Sequence, residues 1–269
     1  MNYDNILQKQ KLYAEKLSQL PAVSLDSYRQ AFDIEYTHDS TAIEGNTLSL
    51  IETKVVIEDG ISVGGKALRE IYEVINHHKA FKYVRKCIDE KLPLDERIVK
   101  DIHSILMENI FVGGIYRNVE VRISGAKHAP PNPSKMFTQI KDFYADLAWK
   151  SNQLNPIEFA AWTHAEFVKI HPGCLVEQQA ELATRPFEDG NGRTSRLIMN
   201  YQLMSQGFLP VSISKENRLT YFDALEKYAI EDDLSAFAHM IAELEEVQLD
   251  RYLEMAVPEI KEDNGQSML

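Results

Sequence analysis

Along most of the chain apolar residues recur at spacings of three and four, which predicts a mainly helical fold. The pattern is strongest in 66–90, where Leu68, Ile71 and Ile75 lie on one face. Asn155 followed by Pro156 is typical of a helix start and predicts a helix running toward His171. Further helices are predicted over 5–19, 25–38, 93–110, 135–150, 193–206, 215–230 and 234–255.

Two segments interrupt the helical pattern. In 39–50, "DSTAIEGNTLSL", the pair Gly45-Asn46 is typical of a helix C-terminus, because glycine readily adopts the left-handed cap conformation. In 111–135 the run "YRNVEVRI" alternates in polarity, is rich in Val and Ile, and precedes a Pro-rich stretch. This pattern, which has no convincing parallel elsewhere in the sequence, predicts a short β-hairpin or extended flap near 116–124.

Composition and charge narrow the class of protein. Among 269 residues, 41 acidic and 29 basic side chains give a net charge of -12, which disfavours nucleic acid and anionic membranes as partners. Cys87 and Cys174 form no CxxC pair, so neither a disulfide framework nor a zinc cluster is indicated. No signal-peptide core and no run of about 18 apolar residues occurs. We therefore expect a cytoplasmic, untargeted protein.

Residues 187–196, "FEDGNGRTSR", combine the features of a phosphate-binding loop. Two glycines let successive backbone N–H groups converge on an anion, and the dipole of a following helix favours negative charge. We predict that phosphates bind Gly190, Asn191, Gly192, Arg193 and Arg196. Asp189 is placed to hold Mg²⁺, which would bridge the same phosphates. The competing interpretation is an ordinary turn followed by solvated arginines.

The same stretch resembles the core motif of the Fic family, His-Pro-Phe-x-(Asp/Glu)-Gly-Asn-Gly-Arg-x-x-Arg, at every position from Phe187 through Arg196. In addition, "GGIYRNVEVRISGAKHAPP" is similar to the family's flap, and "STAIEGNTLSL" resembles the inhibitory motif of some members. The resemblance covers roughly residues 35–245. It implies a Fic-type helical bundle with a short β-hairpin flap. The implied regions are an N-terminal helical region with the inhibitory motif, a Fic domain, and a C-terminal helix end with a frayed tail, at 1–92, 93–246 and 247–269.

This resemblance also implies an activity, the transfer of AMP from ATP to a hydroxyl side chain of a target protein, with ATP and Mg²⁺ at the phosphate loop. A target segment would add as a strand to the flap near 116–124. Glu44 would pair with Arg196 and occupy the place of the γ-phosphate, so that the protein is autoinhibited. Alternatively, Glu44 only terminates a surface helix. The sequence leaves open whether the protein modifies itself and whether it forms a homodimer.

One departure from the family motif is large, because Arg185 stands where the family has its histidine. Arginine stays protonated and cannot accept a hydroxyl proton. Removing residues 173–186 would leave "FVKIHPFEDGNGRTSR", an unbroken motif, so the simplest interpretation is an insertion, with His171 as the candidate general base. We expect the insertion to bulge out and leave His171 beside the loop; in the alternative it carries the chain away and leaves Arg185 in its place.

Several rival functions therefore stay open. The interrupted motif is compatible with a catalytically impaired, nucleotide-binding regulatory module of the same fold. An enzyme of this kind could also remove AMP, with Glu44 orienting a water molecule, or transfer another phosphate-containing group. A helical scaffold without a ligand is the remaining alternative. His77, His78, His103 and His164 fall within helical patterns, and we interpret them as structural histidines.

Overall fold

A computed structural model describes residues 3–116, 133–169, 187 and 189–255 of the chain. In these ranges the structure has ten α-helices, two short 3-10 turns and no strand. The helices are α1 Asp4–Lys16, α2 Ala22–Ile43, α3 Leu50–Glu58, α4 Leu68–Asp89, α5 Glu96–Leu106, α6 Pro133–Lys150, α7 Pro156–Lys169, α8 Asn191–Ser205, α9 Arg218–Glu231 and α10 Ser235–Met255. The predicted mainly helical class is confirmed. Apart from Tyr116, the flap predicted at 116–124 lies outside the described residues.

Short polar residues set several helix ends. Asp95 caps α5, because its Oδ1 accepts the Ile98 N–H at 2.8 Å. Asn155 caps α7 in the same way and accepts the Glu158 N–H at 3.0 Å, as the sequence predicts. Gly207, which follows α8, has a φ of +78°, a left-handed conformation that suits glycine.

The prediction that the second helix ends at residue 38 is wrong, because α2 continues to Ile43. The polar run that suggested an earlier end is buried and satisfied internally: Thr41 Oγ1 donates to the Thr37 carbonyl at 2.9 Å, and Ser40 is only 1% exposed. Gly45 then terminates the helix with a φ of +99°. Helix α3, whose nine residues carry a full capping box at Ser49, was not predicted at all.

Helix packing surrounds α8 with other helices. Helices α7 and α8 lie side by side, and α8 also contacts α2, α4 and α5. A continuous apolar core runs through these helices and includes Phe81, Ile102, Phe167 and Leu197, all fully buried. The first turn of α8 therefore lies where side chains from three other helices can reach it. In the described ranges, no helix is both long and apolar enough to cross a membrane.

Candidate functional site

The loop before α8 is held by its own side chains. Gly190, the residue preceding α8, has a φ of +75°, and its N–H donates to Asp189 Oδ1 at 2.6 Å. The Asn191 side chain closes the loop, since its Oδ1 accepts the Phe187 N–H at 3.0 Å and its Nδ2 donates to the Phe187 carbonyl at 2.9 Å. The first N–H groups of a helix lack intrahelical partners. The backbone of Asn191 and Gly192 can therefore bind an anion while the Asn191 side chain fixes the turn.

His103 of α5 packs against this loop and hydrogen-bonds to its backbone. Its ring stacks on the buried Phe187 ring, with centroids 3.6 Å apart and planes 6° apart. The His103 Nδ1 accepts the Gly114 N–H at 2.8 Å, so its Nε2 carries the proton that is donated to the Asp189 carbonyl, also at 2.8 Å. Burial lowers the pKa of His103 to about 4, which keeps the ring neutral. His103 thus has a structural role, as predicted, although its position under the loop was not foreseen.

Arg196 is the most thoroughly coordinated side chain of the site. Its guanidinium is only 1% exposed, and its Nε and Nη2 donate to the Ser40 hydroxyl at 2.9 Å and the Ser40 carbonyl at 2.7 Å. Nη2 also donates to Glu44 Oε1 at 2.9 Å. The predicted Glu44–Arg196 ion pair is therefore present, and the guanidinium is bound by Ser40 of α2 and by Glu44, the residue that follows α2. Charge-assisted bonds of this kind are about twice as strong as neutral ones.

The Glu44 carboxylate also lies against the anion-binding turn itself. A Cβ atom built on Gly192 would collide with Glu44 Oε1 and would lie 3.2 Å from Arg196 Nη1. The carboxylate thus fills the space in front of the α8 N-terminus, where the helix dipole favours negative charge. The space in which we expect a phosphate to bind contains an anionic group of the protein.

Arg193 is buried but incompletely paired. Its side chain is 2% exposed, and its Nη1 and Nη2 lie 3.6 Å from Glu73 Oε1 and Asp189 Oδ1, beyond good hydrogen-bonding distance. In the part of the chain that the structure describes, its Nε and Nη1 have no hydrogen-bond partner. Unsatisfied buried donors are costly, so Arg193 is poised to gain from an anionic ligand.

Asp189 has the chemistry of a magnesium ligand. Its Oδ2 accepts from Arg69 Nη2 at 2.5 Å. Burial opposes its ionisation, but Arg193, the Gly190 N–H and Arg69 outweigh burial and lower its pKa below the ordinary range. Mg²⁺ prefers such carboxylates and usually combines one or two of them with substrate phosphates and water. No group of three or more potential metal ligands occurs among the described side chains.

Several residues that shape the site carried no motif signal. Tyr221 OH is 3.4 Å from Arg196 Nη1 and 3.0 Å from His164 Nε2, and thus ties the buried guanidinium to α7. Burial, followed by the charge of Arg196, holds the pKa of His164 well below its ordinary value. Arg69 and Glu73 come from α4 and contact the loop from the other side. In sequence they look like an ordinary charge pair of a surface helix.

The candidate base cannot be placed on this framework. His171, Arg185 and the interruption 173–186 all lie outside the described residues. Which of the two geometries the interruption adopts therefore stays a prediction.

Comparisons with known proteins agree with the site. The sequence profile of the Fic/DOC family matches residues 93–172 and so ends at the His171-Pro172 pair, where the predicted interruption begins. Proteins named protein adenylyltransferase Fic from Drosophila grimshawi and Drosophila mojavensis are each 35% identical to the chain over 222 residues, 81% of its length. The chain spans about two fifths of these relatives, 42% and 41% of their lengths.

Solved structures show the same fold. Fic-1 from C. elegans superimposes with a TM-score of 0.76 at 27% identity, covering 93% of this chain and 70% of that one. A Fic domain containing signaling protein from Bacteroides thetaiotaomicron gives a TM-score of 0.80 over 95% of this chain and 97% of that one. Its 20% identity bears on the fold alone. Sequence, site geometry and fold agree: the chain belongs to the Fic/DOC family.

Proposed function

We propose that the protein is a protein adenylyltransferase, which transfers AMP from ATP to a hydroxyl side chain of a target protein, and that Glu44 restrains it. The curated relatives named as adenylyltransferases support the reaction. The observation that carries the proposal is the Glu44–Arg196 pair at the N-terminus of α8, with Nη2 and Oε1 2.9 Å apart. A carboxylate held there by a buried arginine marks an anion site and also blocks it.

In this proposal the loop binds the phosphates of ATP. The N-terminal N–H groups of α8 and the guanidinium of Arg193 face the chain of phosphates, and Arg196 holds its far end once Glu44 has left. Asp189 would hold Mg²⁺, which neutralises phosphate charge when bound. Transfer of a phosphorus group depends mainly on positioning and electrostatic stabilisation, which are what these residues supply.

His171 is the group proposed to accept the proton. The target hydroxyl oxygen attacks the α-phosphorus, the bond from that phosphorus to the pyrophosphate oxygen breaks, and pyrophosphate leaves with the electron pair. The hydroxyl proton passes to the His171 imidazole, since neutral histidine can act as a base near pH 7, whereas Arg185 cannot. Loss of such a base typically costs on the order of 10²- to 10⁴-fold in rate.

Glu44 restrains the reaction by competition for Arg196. The guanidinium is buried and already binds Ser40, so it cannot bind the Glu44 carboxylate and a γ-phosphate in the same place. The carboxylate would also repel phosphate across a site of low dielectric constant. ATP therefore binds poorly or with its α-phosphate misplaced, and misplacement alone is enough to slow transfer.

The decisive experiment incubates four proteins with ATP labelled on the α-phosphate: wild type, Glu44→Gly, Glu44→Gly with His171→Ala, and Glu44→Gly lacking residues 173–186. We expect Glu44→Gly to raise covalent label on the protein or on added target proteins about tenfold or more, from the loss of one charge-assisted bond. Adding His171→Ala should abolish the gain. A Glu44→Gly protein that binds ATP but gains no label would contradict the proposal.

The other two arms address the rival functions. Label that appears only after residues 173–186 are removed would identify a catalytically impaired nucleotide-binding module. A wild-type protein that releases labelled AMP from a modified target, when Glu44→Gly does not, would indicate AMP removal. Label on the protein's own chain would establish self-modification. We further propose that an extended segment of the target protein binds at the flap predicted near 116–124. A target from which that segment has been removed should then receive less label than the intact target.

A further inference from the structure

Arg69 covers the metal-binding carboxylate of the site. It lies in the first turn of α4 with 59% of its side chain exposed, and its Nη2 contacts Asp189 Oδ2 at 2.5 Å. The other carboxylate oxygen, Oδ1, accepts the Gly190 N–H at 2.6 Å. Both oxygens of the predicted metal ligand are therefore already engaged, one of them by a positive charge.

The position of Arg69 is set by Glu73 one turn further along α4. Arg69 Nε donates to Glu73 Oε1 at 3.1 Å, and the Glu73 side chain is only 12% exposed. Glu73 Oε2 in turn accepts from Asn46 Nδ2 at 3.0 Å, and Asn46 is nearly buried. A chain of polar contacts thus joins the segment just after Glu44 to Arg69 and through it to Asp189.

We infer that Arg69 is an internal counterpart of the metal ion: its guanidinium occupies the cation position on Asp189, as the Glu44 carboxylate occupies the anion position beside Gly192. The inference rests on the proposed function, because it takes the ligand to be a nucleotide with Mg²⁺. Arg69 is then a positioning residue that sets how much Mg²⁺ is needed for nucleotide binding. Binding of ATP with Mg²⁺ must displace Arg69 as well as Glu44, whereas binding of ADP with Mg²⁺ must displace Arg69 alone.

The Arg69–Asp189 ion pair can compete with a metal ion for the carboxylate, and a metal ion can still displace it. Side-chain exposures of 59% for Arg69 and 34% for Asp189 place the pair partly in water, where ion pairs are modest. A divalent cation carries twice the charge of a guanidinium and binds carboxylate oxygen directly. Because most of its side chain is exposed, Arg69 can move into solvent when a metal ion binds Asp189. It therefore raises the required Mg²⁺ concentration and does not exclude the metal.

The test measures binding of a fluorescent ADP to the full chain across a range of Mg²⁺ concentrations. ADP has no γ-phosphate, so its binding does not require Glu44 to leave. The readout is the Mg²⁺ concentration that gives half of the metal-dependent gain in ADP affinity. In Arg69→Gln, which removes the charge and keeps most of the length, we expect this midpoint to fall about two- to fivefold, the size of an exposed ion pair.

Lys79→Gln is the matched control. Lys79 also lies on α4 and forms an exposed ion pair, with Nζ 2.9 Å from Glu108 Oε2. This substitution removes the same charge from the same helix, so it corrects for general attraction of Mg²⁺ to a more negative protein. Its midpoint should equal that of wild type. Asp189→Asn should remove the dependence of ADP affinity on Mg²⁺, because this carboxylate is the proposed ligand of the metal.

The outcomes separate this inference from the proposed function. An Arg69→Gln midpoint equal to or above that of wild type overturns the inference, even if Glu44→Gly transfers AMP. Absence of any Mg²⁺-dependent ADP binding in all variants also overturns it. A lower midpoint in Arg69→Gln alone supports the inference, even if none of the proteins transfers AMP. Equal thermal unfolding midpoints would confirm that the variants compared are folded.

Discussion

Gly192 shows how one residue serves both the inhibited and the binding state. The position has no side chain, and the space that a Cβ would fill is occupied by Glu44 Oε1. A phosphate that replaces the carboxylate would need the same close approach to the backbone N–H groups. Substitutions at Gly192 and Glu44 should therefore have opposite effects on the nucleotide, although both remove the contact between them.

We expect Gly192→Ala to weaken Mg²⁺-dependent ATP binding and to produce no gain in AMP transfer. The added methyl group pushes the Glu44 carboxylate away but blocks the phosphate equally. Titration with a fluorescent ATP analogue and labelling from α-labelled ATP would measure the two effects. Gly64→Ala is the control, because a Cβ there meets nothing within 4 Å. A Gly192→Ala protein that labels as strongly as Glu44→Gly would contradict this view of the turn.

At the scale of elements, contacts with other helices fix the C-terminal end of α2 and so position Glu44. Arg196 binds Ser40 one turn before the end, and Arg218 Nε donates to the Ile43 carbonyl at 2.9 Å from the first residue of α9. Just beyond the helix, Asn46 Nδ2 donates to the Glu70 carbonyl at 3.0 Å. Three elements thus fix the helix end that carries Glu44, and a cation at a helix C-terminus is favourable in itself.

Arg218→Gln should loosen that end without entering the phosphate site. The bond from an exposed arginine to a C-terminal carbonyl contributes about 0.3–1 kcal/mol, so we expect label from α-labelled ATP to rise about two- to fivefold. Lys227→Gln on the same helix removes an exposed ion pair with Asp233 and should leave labelling unchanged. Equal labelling by the Arg218 and Lys227 variants would show that this clamp does not contribute to restraint.

Sequence patterns were sufficient for most elements and failed where polar residues are buried. The apolar periodicity of 66–90 predicted α4, Leu68–Asp89, within a few residues. The last turn of α2 was missed because Asp39, Ser40 and Thr41 look like a surface break in the sequence, whereas all three are buried and Ser40 accepts a hydrogen bond from Arg196. Helix α3 was missed because its nine residues are too few for periodicity to be distinctive.

At the scale of the whole molecule, the site is assembled from residues far apart in sequence. A local motif predicted the loop residues from Asp189 to Arg196, and the family resemblance predicted Glu44. Arg69, which contacts Asp189 across 120 positions, and Ser40, which contacts Arg196 across 156, could not be predicted in this way. Such pairs depend on how the helices pack, and a single sequence carries no direct signal of packing.

Glu245 is a charge-bearing group buried by that packing and far from the motif. It is fully buried on α10, its Oε1 accepts the Leu209 N–H at 2.8 Å, and its Oε2 has no hydrogen-bond partner in the described ranges. Burial raises the pKa of Glu245 well above its ordinary value, and the Leu209 N–H offsets this only in part. Between the pKa of the unfolded chain and that of the folded protein, the folded protein therefore keeps a proton here that the unfolded chain releases.

This difference gives a dependence of stability on pH. The contribution of Glu245 is fully present below its pKa in the unfolded chain, about 4.3, and is lost as pH rises toward the higher folded value. Glu245→Gln keeps an acceptor for Leu209 and cannot ionise. We expect its free energy of unfolding, measured by urea titration at pH 5, 6, 7 and 8, to increase relative to wild type as pH rises. Glu243→Gln, at a side chain 65% exposed on the same helix, should run parallel to wild type.

Other buried groups change stability with the opposite sign but do not obscure this comparison. Burial lowers the pKa of His77 and His164, so each histidine takes up a proton on unfolding below about pH 6.5 and stability falls as pH drops. Those losses are common to wild type and both glutamine variants, and they cancel in the difference. A difference between Glu245→Gln and wild type that stays constant from pH 5 to 8 would show that Glu245 is ionised in the folded protein and that its environment holds the charge.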